Sequence, residues 1–234
     1  IINSFKKIFI KLIFNYPTYR KLNLFLSINL ILLSGCSTSN KKVDVNICSR
    51  KILPCISSTE YVLLITNKGE MKLELFGKLA PITVGNFIDL VEKGAYDKTI
   101  FNRVIKKPYP FIIRGGEINY SKNSKDLNNF IDRKTVKIRY IPLEIKLKNK
   151  NLPTYGKIID VSSQKNDIEL KHKRAYLSMA RSKYVNSANS QFYISLKALP
   201  ELDGRFAVFG KVISGLKVLD KIEEKDFIIE AIRL

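Results

Sequence analysis

The 234-residue sequence contains no tryptophan, one histidine and three cysteines, so it offers few groups for metal binding or nucleophilic chemistry. With His172 as the only histidine and no C-x-x-C pair, the composition argues against a zinc site. It also argues against catalysis by a Ser-His or Cys-His pair. His172 stands in a Lys-His-Lys-Arg run and is interpreted as a solvated residue at the entrance of a strand. We expect neither a metal nor a cofactor.

Acidic residues are also scarce, since 21 of them face 41 lysines and arginines and leave a formal net charge of +20. Such a charge is compatible with binding to nucleic acid or to an anionic membrane surface. The lysines are scattered, however, and no basic patch is interleaved with aromatic residues. We interpret the charge as a general bias of composition and expect no nucleic-acid partner. A hydrophobic content of 45% suffices for one domain with an appendage, and we expect a monomer.

The N-terminal segment, residues 1–35, is basic at first and then apolar over residues 22–33, a run that is short for a membrane span. It leads into Leu-Ser-Gly-Cys, which resembles the lipobox of bacterial lipoproteins, where cleavage precedes an acylated cysteine. The resemblance implies a signal segment over residues 1–35, lipidation at Cys36 and attachment to a membrane of the bacterial envelope, facing the periplasm. Ser37 is not an acidic retention signal, which favours the outer membrane. The alternative is a plain signal peptide or a signal anchor with a chance cysteine.

The next segment, residues 36–60, is polar without a sustained period and is interpreted as a flexible tether. Within it, Cys48 and Cys55 would pair in an oxidising periplasm or remain free thiols, and the sequence leaves both alternatives open. The folded domain is predicted to occupy residues 61–234.

Several elements of that domain are predicted by residue pattern. Residues 61–66 and 71–76 form a hairpin around Asn-Lys-Gly-Glu. Pro81 suits the first turn of a helix whose apolar residues recur at i, i+3, i+4 and i+7. Further strands are expected at 176–180, 191–196, 206–212 and 227–234, and a second helix near 215–223. Residues 119–171 are rich in Lys and Asn and are interpreted as an insertion that holds an extra hairpin near 136–140 and contributes little to the core.

Three motifs stand in register along this domain: FNRVIKKPYPFIIRGGE at 101–117, LSMAR at 177–181 with SQFYI at 190–194, and LDGRFAVFG at 202–210. In this order they resemble the cyclophilin-type peptidyl-prolyl cis-trans isomerases. The resemblance extends from about residue 61 to residue 234 and is poor within the insertion. It implies a mainly β fold: a closed eight-stranded antiparallel barrel capped by two helices, with a substrate groove on its outer surface.

The same resemblance implies an isomerase that acts on proline-containing polypeptides and assists folding of envelope proteins. Arg103 matches the catalytic arginine, which acts without covalent chemistry beside an apolar proline pocket. The positions that match substrate-binding residues are Phe111, Ile112, Ala180, Arg181, Gln191, Tyr193, Leu202 and Phe206. Strand alternation places Arg103 on one face with Phe101 and Ile105, and Gln191 with Tyr193, opposite Phe192 and Ile194.

This sequence departs from the family pattern at three informative positions. Asn102 replaces the usual histidine, Arg114 replaces a glutamine that helps to align the catalytic arginine, and Glu201 stands where many relatives have an aromatic residue. Two neighbouring guanidiniums would repel each other unless an acid such as Glu117 intervenes. These changes leave open a non-catalytic chaperone or scaffold of the same fold, and more remotely an interaction protein with a basic surface.

Overall fold

The computed structural model of the chain describes Cys48 and residues 52–118, 131–132, 137–160, 162 and 168–234. All of them belong to Lys41–Leu234, the second of two units into which the chain divides. The predicted signal segment and Cys36 lie outside the described residues. Within the described ranges, no helix combines the length and the apolar character that crossing a membrane requires.

The described chain is mainly β, as predicted, with two α-helices and one 3-10 turn at Pro200–Leu202. In chain order, the elements are β1 (Thr59–Thr66), β2 (Gly69–Phe76), α1 (Pro81–Glu92), β3 (Arg103–Val104), β4 (Ile112–Gly115), β5 (Ile131–Asp132), β6 (Lys137–Ile138), β7 (Glu144–Ile145), β8 (Thr154–Tyr155), β9 (Tyr176–Met179), β10 (Phe192–Ser195), β11 (Val208–Ser214), α2 (Leu216–Lys221) and β12 (Ile228–Arg233).

Eight of these strands form one antiparallel sheet in the order β12-β1-β2-β11-β9-β10-β4-β3. The sheet is an open half-barrel, so the prediction of a closed barrel is wrong. The two edge strands do not pair with each other, because β3 begins only at Arg103, whereas the residues that bond to β12 are Lys98 and Thr99. The edges are joined instead by the preceding segments, where Ile100 and Phe227 form an isolated bridge.

The predicted hairpin and first helix are confirmed; the hairpin buries one face in the main core, whereas α1 is buried along nearly its whole surface. Helix α1 begins at Pro81, where a missing N–H costs nothing. The Ala80 position that precedes α1 makes no side-chain cap, and a distant residue supplies it instead. The buried carboxylate of Glu144 accepts the backbone N–H groups of Ile82 and Thr83 at 3.2 and 2.8 Å. Negative charge at a helix N-terminus is favourable because the free N–H groups point towards it.

The insertion contributes more to the core than its composition predicts. Ile141 lies in the main core and bridges to Ala188. A second apolar cluster is built largely from the insertion and contains Leu143, Ile145, Leu147, Ile159, Ile168 and Ala207. The expectation that residues 119–171 contribute little is therefore wrong, because isolated apolar residues in a polar segment meet only after the chain folds back. Two small hairpins occur here, β5 with β6 and β7 with β8, so the extra hairpin is confirmed, although the partner of β6 precedes it.

Part of the predicted tether lies against the domain. Leu53, Cys55 and Ile56 are half-buried on the main core, and the Ile56 N–H donates to the carbonyl of Pro81 at 3.1 Å. Cys48 and Cys55 are joined by a disulfide bond with their Cα atoms 5.5 Å apart. The pairing that the sequence left open is thus made in this structure.

Candidate active site

A small apolar cluster lies apart from the main core, on the outward face of the sheet. We call it the outer cluster. Its buried members are Ile112, Tyr193 and Leu199, and its half-buried members are Ile105, Phe111, Ala180, Leu202 and Phe206. Six of these eight are residues that the sequence assigned to substrate binding: Phe111, Ile112, Ala180, Tyr193, Leu202 and Phe206. The structure therefore brings together in one place side chains from motifs almost 100 residues apart.

The register of three neighbouring strands sets one edge of this site. Arg103 on β3 lies opposite Arg114 on β4, which in turn lies opposite Tyr193 on β10. Directly opposed residues of adjacent strands point to the same face of a sheet. Arg103 and Arg114 therefore lie side by side along the outward face, beside the outer cluster.

The predicted alternation within the first motif is only partly correct. Ile105 joins the outer cluster, whereas Phe101 is fully buried in the main core. The reason is that Phe101 precedes β3, and its backbone pairs with Lys225 and Asp226 rather than with β4. Within β10 the alternation is correct, because Phe192 and Ile194 lie in the main core and Tyr193 lies in the outer cluster.

Arg103 itself is exposed, and among the described residues it has no hydrogen-bond or ion-pair partner. An ordinary structural arginine of a strand would be expected to pair with an acid. Its planar guanidinium therefore keeps its hydrogen-bond donors available at the edge of the outer cluster.

Arg114 is held by two consecutive hydrogen bonds that run through Asn102 to Glu117. Its Nε donates to the Oδ1 of Asn102 at 3.1 Å, and the Nδ2 of Asn102 donates to the Oε2 of Glu117. Two departures from the family pattern, at Asn102 and Arg114, thus contact each other. Glu117 contacts Asn102 and neither guanidinium, so the expectation that it would lie between Arg103 and Arg114 is not met. The strand ends beyond Arg114 in a turn at Gly116, whose φ of 75° suits glycine.

A buried polar network supports the outer cluster from behind. His172 is buried, and its Nδ1 and backbone N both lie 2.8 Å from the Oδ1 of Asp203. Because a carboxylate only accepts, Nδ1 carries the proton, and Nε2 is left to accept the hydroxyl of Tyr193 at 2.8 Å. The rings of His172 and Tyr193 are also parallel, with centroids 5.9 Å apart.

The interpretation of His172 as a solvated residue is therefore wrong. Its neighbours in the chain are basic, but its partners lie 21 and 31 residues further along, at Tyr193 and Asp203. The pKa of Tyr193 is raised, mainly by burial. The hydroxyl therefore stays protonated and can donate to His172. The network holds the Tyr193 ring in place under the cluster.

Arg181 and Gln191 complete the opposite edge. The guanidinium of Arg181 lies 4.7 Å from the centroid of the Phe206 ring and donates to the carbonyl oxygens of Arg205 and Ser182. Gln191 is half-buried, and no described residue bonds its side-chain amide. Its backbone carbonyl accepts the N–H of Ala180 at 2.9 Å.

Four members of the site were missed by sequence reasoning: Ile105 and Leu199 in the cluster, and His172 and Asp203 behind it. Asp203 belongs to the third motif, so its position gave a signal, whereas Leu199 looked like any apolar residue in a connection. In the described ranges, no three His, Cys, Asp or Glu side chains are grouped so as to hold a metal ion.

Together, the fold and the site define a class: a mainly β protein with an open antiparallel half-barrel and an outward-facing apolar cluster edged by guanidiniums. Residues 61–230 match the family described as cyclophilin type peptidyl-prolyl cis-trans isomerase/CLD. The chain belongs to the cyclophilin-type peptidyl-prolyl cis-trans isomerases, and the predicted family and class of enzyme are confirmed.

Individual relatives agree with this assignment. A peptidyl-prolyl cis-trans isomerase of Helicobacter pylori is 34% identical over 175 residues, which cover 74% of this chain and 86% of that protein. One from Dictyostelium discoideum is 37% identical over 162 residues, 69% of this chain and 83% of that protein. A relative from Rhizopus delemar, peptidyl-prolyl cis-trans isomerase-like 2, is 38% identical, but the match spans only 26% of its length.

Solved structures show the same fold. A crystal structure of a Cryptosporidium parvum cyclophilin type peptidyl-prolyl cis-trans isomerase has a TM-score of 0.53 at 28% identity, covering 76% of this chain and 98% of that one. A structure of the same protein in the presence of the dipeptide Ala-Pro has a TM-score of 0.51 at 30% identity, covering 74% and 97%.

Proposed function

We propose that this chain isomerises X–Pro bonds of polypeptides bound over the outer cluster, with Arg103 as the catalytic donor. The single observation that carries the proposal is the unpaired guanidinium of Arg103 beside a cluster of apolar side chains on the outward face. Three further arginines lie near the cluster: Arg114, Arg181 and Arg205. Of these, Arg114 and Arg181 already donate hydrogen bonds to other residues of the chain.

The reaction needs no covalent step. Rotation about an X–Pro bond is slow because amide resonance imposes a barrier of roughly 20 kcal/mol. As the bond twists, the prolyl nitrogen loses conjugation and regains a lone pair that accepts a hydrogen bond more strongly. A donor placed beside that nitrogen therefore stabilises the transition state more than the ground state, which is the requirement for catalysis.

The apolar side chains of the site have a complementary task. Phe111, Leu202 and Phe206 are half-buried, so each keeps a surface that a proline ring can cover. Tyr193 lies beneath them, and the Phe206 ring meets it edge-on at 5.9 Å. The free amide of Gln191 suits the backbone of an extended peptide. The Ala-Pro dipeptide present with the Cryptosporidium relative supports the same class of ligand.

The test is a protease-free isomerisation assay beside calorimetric binding of a proline peptide. Arg103→Ala should lower kcat/KM roughly 30- to 1,000-fold, equivalent to about 2–4 kcal/mol, while peptide binding weakens much less. Arg103→Lys should restore part of the activity, because a point charge lacks the planar fork. The matched control is Arg174→Ala, whose exposed guanidinium pairs with Asp220 outside the cluster.

Two results would contradict the proposal. Equal activity of the wild type and Arg103→Ala would exclude the arginine mechanism. Absence of activity in both, with peptide binding retained, would favour the non-catalytic module of the same fold. That alternative rests on Asn102 and Arg114, the two positions that depart from the family pattern and contact each other.

We also propose that the protein is lipid-anchored at Cys36 and assists folding in the bacterial envelope, facing the periplasm. The Leu-Ser-Gly-Cys motif supports the anchor. The disulfide between Cys48 and Cys55 supports an oxidising compartment, since such bonds are rare in the cytosol. Metabolic labelling with a fatty acid should mark the wild type and not Cys36→Ala. A wild type without label would overturn the anchor.

A further inference from the structure

The arginines of the described chain fall into two groups. Arg139, Arg174 and Arg233 each form ion pairs, with Asp89, with Asp220, and with both Glu60 and Glu92, respectively. The remaining four form no ion pair with any described residue, and all four lie at or beside the outer cluster: Arg103, Arg114, Arg181 and Arg205. Since the chain pairs its arginines elsewhere, the unpaired charge at this site is a local feature rather than a consequence of the basic composition.

These guanidiniums lie on both sides of the cluster. Arg103 and Arg114 occupy the β3–β4 edge, opposite each other. Arg181 follows β9 on the other side, with its guanidinium over Phe206, and Arg205 directly precedes Phe206. A peptide that places a proline on the cluster therefore has positive charge near both of its flanks.

Three acids lie close to the site, and none of them forms an ion pair with a described arginine. Glu201 is exposed in the turn between Leu199 and Leu202 of the outer cluster. Glu117 is exposed and accepts from Asn102, and no arginine pairs with it. Asp203 is buried and bonded to His172. Burial, as the larger cause, and the neighbouring Arg205 lower the pKa of Arg181.

We propose that these arginines select proline-containing segments that carry an aspartate or glutamate near the proline. This inference rests on the proposed function, since it assumes that the proline is bound over the outer cluster. A carboxylate accepts hydrogen bonds from the planar guanidinium in a two-pronged geometry that a neutral side chain cannot reproduce.

The spacing of the strands indicates where the acid would lie. From β9 to β3 there are three strand intervals, which span about 14 Å at roughly 4.8 Å each. An extended peptide advances about 3.3 Å per residue, so a proline midway is about two residues from either group of arginines. We therefore expect the acidic residue within about two positions of the proline, on either side.

The experiment compares matched peptides of the form Ala-Xaa-Ala-Pro-Phe, with Glu, Gln or Lys at Xaa, in the isomerisation assay and in calorimetric binding. At an ionic strength of about 0.02 M, kcat/KM and affinity should be about 3- to 10-fold higher for Glu than for Gln, and lowest for Lys. At about 0.5 M the preference should nearly vanish, because exposed charges are then screened.

Variants identify the arginines responsible. Arg181→Gln and Arg114→Gln should each lower the ratio of kcat/KM for the Glu peptide to kcat/KM for the Gln peptide, and this ratio is the readout whatever the effect of either variant on the Gln peptide itself. Arg174→Gln, which removes one paired arginine outside the cluster, should retain the full preference. Because the two variants lie on opposite sides of the outer cluster, the test remains valid if either one fails to fold. Thermal unfolding shows whether each variant is folded.

The outcomes separate this inference from the proposed function. Activity on all three peptides without a preference for Glu at low salt would overturn the selectivity and leave the isomerase intact. No turnover of any peptide would refute the proposed function, and equal affinities in calorimetry would then refute the selectivity as well. A preference retained in both Arg181→Gln and Arg114→Gln would also overturn it.

Discussion

The two faces of strands β4 and β10 carry side chains of opposite character. The inner face presents Ile113, Phe192 and Ile194, all fully buried in the main core. The outer face presents Arg114 and Tyr193, with polar partners on both. The same few residues of backbone thus present core side chains on one face and side chains of the candidate site on the other. We therefore expect substitutions on the inner face to act mainly on stability and substitutions on the outer face to act mainly on the proposed activity.

The largest effect is expected on breaking the inner face. Phe192→Ala removes a fully buried ring that meets Phe87 and Tyr96 edge-on at 5.5 Å. We expect the free energy of unfolding to fall by about 3–5 kcal/mol, since both transfer energy and packing are lost. Chemical denaturation measures the change. A loss below about 1 kcal/mol would mean that the site collapses around the gap and that the inner face is not a rigid core.

At Phe111, a half-buried residue of the outer cluster, we expect a smaller effect, and one on peptide binding rather than on stability. Phe111→Ala should weaken binding of a proline peptide by on the order of 10- to 100-fold, because a ring's contact is worth about 1.5–3 kcal/mol. Turnover should fall no more than binding does. The free energy of unfolding should change far less than in Phe192→Ala. Calorimetry measures peptide binding, and chemical denaturation measures stability, for Phe111→Ala and Phe192→Ala in parallel. An equal loss of stability in the two variants would refute the distinction between the inner and outer faces.

Removing one hydroxyl sharpens the comparison further. Tyr193→Phe keeps the ring in the cluster but leaves the buried Nε2 of His172 without its partner. We expect a loss of about 1–2 kcal/mol in the free energy of unfolding, since an unsatisfied buried polar atom is costly. Peptide binding should change less than two-fold by the same reasoning, because the apolar surface is retained. A large loss of binding at full stability would instead assign the hydroxyl a direct contact with ligand.

The smallest effect is expected away from both faces, where the sheet edges are joined. Asp226 accepts from Asn67 and from the backbone of Glu223, each at 2.7 Å. Burial alone would raise the pKa of Asp226, but these hydrogen bonds and the charge of Lys68 outweigh it and lower the pKa. The stabilisation is therefore present above the unfolded pKa of about 3.9 and is lost as the pH falls through the lower folded value.

Asp226→Asn should consequently reduce the free energy of unfolding by about 1 kcal/mol at neutral pH and have little effect under strongly acid conditions. Denaturation of the variant and the wild type at several pH values measures both. Parallel pH profiles for the two proteins would contradict this role of the carboxylate.

How far the site could be predicted depends on whether its signal was local. Six outer-cluster residues were identified because each belongs to a motif. By contrast, the placement of Phe101 was wrong because alternation holds only within a strand, and β3 begins two residues later. His172 was misjudged because its basic neighbours are exposed, whereas its own side chain is bonded to residues distant in the chain.

The sequence by itself determined most strands of the eight-stranded sheet, both helices and the family, because periodicity and motif residues are properties of short segments. Tertiary structure alone decided that the half-barrel stays open, that Glu144 caps helix α1, and that the insertion forms its own apolar cluster. Among the described residues, it also decided that the arginines beside the outer cluster lack acid partners, whereas Arg139, Arg174 and Arg233 have them. Charge pairing depends on which surfaces meet, and no pattern along the chain reports that before the strands are brought into register.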